Sequence, residues 1–193
     1  MPERGREVFE FVYGLGEQIE ELDADRSAVA REVEARALMA LALSTHTEAE
    51  EAFEHWTRAM EKLQAAREEL LPEREADGTA GHDEAEVLED FAEDTLSLTC
   101  SLACDEHPRA EELLTTAIEL IGDLPDDLDT YEEVRRRQHV IFGLMSAGDA
   151  FGSDATELME RAYRTAFSML EQLDPEQMPE GHREELAAFI HDR

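Results

Sequence analysis

Lysine is all but missing from this chain: Lys62 is the only one among 193 residues, and the other basic residues are arginine. Phosphate contacts need clustered Lys and Arg, and the one cluster is Arg135-Arg136-Arg137, so direct binding to nucleic acid is disfavoured. Cysteine is nearly as scarce. Cys100 and Cys104 cannot build a disulfide framework, and their four-residue spacing suits one helix face, so free thiols in a reducing compartment are expected. Long apolar runs are lacking too: the longest, Ala37 to Leu43, falls far short of the roughly 20 residues that span a bilayer. The opening residues, MPERGREVFEF, hold no apolar core of a secretory signal, so a soluble, cytoplasmic protein is expected. No HExxH, Gly-rich phosphate loop or GxSxG elbow occurs, and none of the seven histidines follows a glutamate by three residues as in di-iron bundles. These absences argue for a chain without catalysis, cofactor or metal of its own.

What is abundant is acid. There are 49 Asp and Glu against 17 Lys and Arg, a net charge of −32. The excess is evenly spread, −18 over residues 1–96 and −14 over residues 97–193. An even coat over periodic apolar segments reads as a folded acidic surface rather than a disordered tail. Such self-repulsion opposes compaction in dilute buffer, but at molar salt the Debye length shrinks to about 3 Å and the repulsion is screened. The composition resembles that of haloarchaeal cytoplasmic proteins. The rival reading, an acidic mimic of nucleic acid, would gather the charge on one face.

Every long segment has a helical period and none alternates like a strand, which predicts an all-α fold of seven or eight helices. The expected helices cover about 4–22, 27–44, 47–70, 84–104, 108–122, 130–146 and 154–173, with a short one from His182 onward. Thr47 with Glu50, and Thr130 with Glu133, form capping boxes. Val29, Val33, Ala37, Ala40 and Leu41 form the expected core stripe of the second helix; Val134, Ile141, Phe142 and Met145 form that of the sixth. "LPEREADGTAGHD", 71–83, reads as a long loop, and "SAGDAFGS" as a Gly-containing turn.

One stretch, "TCSLACDEHPRA" at 99–110, holds both cysteines and His107. Three ligands fall short of the four of a structural zinc site, and the spacing is not CxxC. A reactive thiolate wants positive charge beside it, whereas Asp105 and Glu106 repel one and only Arg109 counters them. The stretch therefore reads as a joint between two helices, with Pro108 opening the second. Glu51 and His55, one turn apart, are read as chance neighbours.

The helices pair into hairpins, and the hairpins share a spacing. Ala52, Trp56 and Ala59 recur as Ala110, Leu114 and Ala117, and again as Ala155, Met159 and Ala162. Twelve residues before each first alanine stand Ala40, Leu98 and Gly143, in the preceding helix. This arrangement resembles the tetratricopeptide repeat (TPR), in which a small residue in the first helix precedes Ala-x3-aromatic-x2-Ala in the second. The intervals here are 58 and 45 residues rather than 34. The resemblance implies one domain over 1–193: an N-terminal helix over 1–22, antiparallel hairpins over 27–71, 84–122 and 130–174, and a C-terminal helix over 182–193. The hairpins would stack as a TPR-like right-handed solenoid, with an irregular helical bundle as the alternative. It further implies a partner-binding groove lined by the first helix of each hairpin: Glu34, Ala37, Leu41 and Ser44, then Ala92, Thr95, Thr99 and Leu102, then Arg137, Val140, Leu144 and Ala147. That groove would take a protein or peptide partner, making the chain an interaction module or adaptor, and a homo-oligomer is compatible with it. The same residues can equally close over as core. The stretch from Leu22 to Trp56 is also faintly similar to the translin group of nucleic-acid-processing proteins, and a helical-bundle enzyme is the remaining alternative.

Overall fold

The fold is seen in a computed structural model that describes residues 11, 13–15, 27–45, 48–77, 80–124, 131–152 and 155–173. All regular structure among the described residues is helical, with no strand. Six helices are bounded there: α1 (Ser27–Ser44), α2 (Ala49–Asp77), α3 (Ala80–Cys104), α4 (Ala110–Gly122), α5 (Tyr131–Ala150) and α6 (Thr156–Gln172). Residues 11 and 13–15 are helical as well. Both capping boxes, most of the first expected helix and the helix from His182 lie outside the described residues.

Local chemistry explains most of these bounds. Acids stand in the first turns of α2, α4 and α6, where the positive end of the helix dipole favours them. Two expected breaks are absent, however. The helix expected to stop near residue 70 runs on to Asp77 and the next begins at Ala80, so the expected loop over 71–83 is helical over 71–77 and 80–83. Pro72 offers no N–H to the carbonyl of residue 68, but the Leu, Glu, Arg and Ala around it are strong helix formers. Likewise α5 passes through Gly148, and the chain turns only at Gly152, whose φ of +69° suits glycine.

The chain divides into two compact units, 1–84 and 85–193. In the first, α1 and α2 form an antiparallel hairpin in which Ala28 packs on Ala66 and Leu70. Ion pairs flank it: Arg31 holds Glu69, and Lys62, the sole lysine, sits 2.5 Å from the wholly buried Glu34. Arg58 donates to the Tyr13 hydroxyl at 2.7 Å, tying the N-terminal helical residues to α2.

The second unit contains α4, α5, α6 and most of α3. α5 and α6 run antiparallel, with Gly148 facing Ala162 and Tyr163, and Tyr163 donating to Asp149. Across hairpins the direction changes. Glu86 pairs with Arg136, Glu89 with Arg137 and Glu93 with His139, while Leu96 abuts Gly143; partner numbers climb together, so α3 and α5 lie parallel. α4 and α6 do the same: Arg161 donates to the Thr115 hydroxyl at 2.9 Å, and further along Ile118 and Ile121 share a cleft with Thr165, Ser168 and Gln172. Both pairs are offset by nearly the same number of residues.

Candidate functional site

The twelve residues expected to line a groove can now be placed. Eleven of them are buried, namely Glu34, Ala37, Leu41, Ala92, Thr95, Thr99, Leu102, Arg137, Val140, Leu144 and Ala147; Ser44 alone is exposed. They form core, and a partner would reach them only if helices parted. The polar ones are internally matched. Arg137 donates through Nε to Glu89 at 2.5 Å with both side chains nearly sealed from water, and the Thr99 hydroxyl donates back to the Thr95 carbonyl at 2.8 Å.

The surface lies a fraction of a turn away. On α3 the outward line is Glu86, Asp90, Glu93, Ser97, Cys100 and Cys104; on α5 it is Arg135, His139, Phe142, Ser146 and Asp149, each at three- or four-residue steps. Because α3 and α5 are parallel neighbours, these lines make one face. Its ends are charged: Glu86 with Arg136 and Glu93 with His139 at one end, Asp149 at the other. Its middle is Ser97, Cys100, Phe142 and Ser146, without charge in a chain of net −32. Phe142, expected in the core, is 41 % exposed there. On α1 the corresponding outward line is Val29, Val33, Arg36, Ala40 and Ser44; the two valines are exposed because α1 turns Ala28, Ala30, Ala35, Leu38 and Ala42 inward instead, small side chains that let α2 come close.

Two other features were visible in the sequence. The arginine cluster is dispersed, with Arg136 drawn to Glu86 and Arg137 into the buried pair with Glu89. His55 Nε2 stands 3.5 Å from Glu51, a helical neighbour pair. Among the described residues no three His, Cys, Asp or Glu side chains converge on a metal position. No helix among them is long and apolar enough to cross a membrane.

"TCSLACDEHPRA" proves to be a helix ending. The His107 N–H bonds the Leu102 carbonyl at 2.9 Å and the Glu106 N–H bonds the Ala103 carbonyl at 3.0 Å, with Glu106 left-handed at φ 52°. That is a Schellman cap, which satisfies carbonyls that α3 would otherwise leave open. His107 is turned to the following joint, where its Nδ1 accepts from the Arg109 N–H at 3.3 Å. Cys100 is half-buried and Cys104 exposed, both as free thiols. Burial, and after it the neighbouring Cys104, push the Cys100 thiol up to about 11, with Asp149 adding to the rise.

Nothing matches the chain in comparisons with protein-family models, curated proteins and solved structures.

Proposed function

We propose that the chain is a non-catalytic interaction module that docks a protein or peptide segment on the outward face of α3 and α5. The observation that carries this reading is Phe142, a large apolar side chain held out of the core in an uncharged strip between charged ends. A strip of this kind suits a partner helix or peptide with an apolar anchor, and the overall acidic charge selects basic flanks on that partner. The similar offsets of the parallel pairs α3–α5 and α4–α6 support a TPR-like arrangement, which would hold such a face rigid. The expected experiment is capture from native lysate in molar salt, with wild type beside Phe142→Glu. A partner held by wild type and released by the variant, with helix content unchanged, supports the assignment; equal capture by both removes it.

The acidic coat belongs to the same proposal, as an adaptation to a salt-rich cytoplasm. Thermal unfolding should rise steeply between about 0.1 M and molar salt as the Debye length falls from about 10 Å to 3 Å. A midpoint that does not move over that range contradicts it.

A further inference from the structure

Cys100 and Cys104 lie on the last turn and a half of α3, one above the other on the exposed face. Side chains four apart on a helix have Cβ atoms about 5–6 Å apart, whereas a disulfide needs Cβ atoms about 3.5–4.5 Å apart. As long as the Schellman cap holds α3 intact through Cys104, the two thiols cannot oxidise to one another. They can instead grip a single atom. Metal–sulfur bonds are about 2.3 Å for zinc and slightly longer for heavier soft ions, so a linear sulfur–metal–sulfur unit sets its sulfur atoms roughly 5 Å apart.

We infer that Cys100 and Cys104 form a two-coordinate dithiolate site for a soft, thiophilic dication of the mercury(II) type. The ligand set is two sulfurs: among the described residues no third His, Cys, Asp or Glu converges with them on a metal position, and His107 Nδ1 accepts from the Arg109 N–H. Charge then selects the ion. Asp149 from α5 acts on Cys100, Asp105 and Glu106 directly follow Cys104 in the chain, and Arg109 is engaged with Glu112 at 2.8 Å. Among the described residues no cation acts on the Cys100 thiol to favour a bare thiolate. When a dication binds, two S–H bonds break, two sulfur–metal bonds form and two protons leave to solvent, so the site is neutral before and after. A monovalent soft ion making the same two bonds would leave one extra negative charge among these acids. The helix C-terminus, negative by its dipole, also favours the partial positive charge on the metal, and the field of a chain at −32 draws the cation in.

The test is a titration of the full chain with mercury(II) nitrate in halide-free molar potassium sulfate, followed by stripping with cysteine. Wild type should take one ion per chain and release two protons. A chelate of two thiols on one helix should need about 100-fold more cysteine for stripping than either Cys100→Ser or Cys104→Ser, from the effective concentration of the second thiol. Cys104 is exposed, so Cys104→Ser leaves the fold unchanged by circular dichroism. Wild type surrendering mercury at the same cysteine concentration as Cys104→Ser, or binding one ion between two chains, overturns the site.

Discussion

The sharpest test of the hairpin stack is the buried pair Glu89–Arg137. Its Nε–Oε1 distance is 2.5 Å and its side chains are 2 % and 5 % exposed, so neither charge has recourse to water if the other is removed. Arg137→Met should leave a carboxylate stranded between α3 and α5, at a cost of about 3–5 kcal/mol, and Glu89→Leu should strand the guanidinium at a similar cost. For a chain of this size each kcal/mol moves the midpoint by about 2–4 °C, so either single change should lower it by roughly 10–15 °C. The double change Glu89→Leu with Arg137→Met removes both charges and fills the space with apolar groups, and should return close to wild type. Glu160–Arg164, at 4.0 Å and largely exposed on α6, is the control: breaking it should cost about 0.5 kcal/mol or less. The assay is thermal unfolding by far-UV circular dichroism at one fixed molar salt concentration. Single variants no more perturbed than the control, or a double variant as unstable as the two singles added together, would refute the reasoning. The same pair sets register, since sliding α5 by one turn along α3 would oppose Arg137 to a different residue and strand Glu89.

Three further outcomes are expected. A Cβ added at Gly148 meets Ala162 and Tyr163 at an ordinary 3.4 Å, so Gly148→Ala should raise stability by up to about 1 kcal/mol; at Gly143 it meets the buried Leu96 at 3.1 Å, so Gly143→Ala should gain less or lose, read as paired midpoints. Glu106 occupies a left-handed position at φ 52°, and Glu106→Gly should stabilise by about 1 kcal/mol; a lower midpoint would mean that its side chain matters more than its backbone. Cys100 should alkylate slowly at neutral pH while exposed Cys104 reacts readily, with Cys100 gaining reactivity only as pH approaches about 11. Because the fold holds that proton more tightly than the unfolded chain, whose thiol titrates near 9.0, stability is intact below pH 9 and is lost as pH rises from there through 11; Cys100→Ser should flatten that decline.

The all-helical fold was legible because a helical period survives in every long segment, and the joint at 105–109 was legible from Pro108. The facing of each helix was not. In α1 the valines invited an inward reading, yet Ala28, Ala30 and Ala35 face in, because packing two helices closely rewards small side chains as much as large ones. Glu89 and Arg137 are polar by type and sealed by pairing, a match between helices 48 residues apart that no local pattern displays. Gly143, twelve residues before Ala155, lies against Leu96 of α3, and it is Gly148 that faces α6.

These displacements share a cause. With acids distributed evenly along the chain, a charged residue marks the outside only when its partner is not also inside, and an alanine marks neither. Facing was therefore decided by a few pairings between helices, Glu34 with Lys62 in one unit and Glu89 with Arg137 in the other. Each encloses a glutamate against a cation from a neighbouring helix: Glu34 is wholly buried beside the part-exposed Lys62, and Glu89 and Arg137 are buried together. The rotation that buries Arg137 carries Phe142, five residues on, away from the inward line and out among Ser97, Cys100 and Ser146. The exposed apolar anchor is thus a consequence of the buried charge, and removing the charge pair while keeping the fold gives α5 the freedom to turn Phe142 back inward.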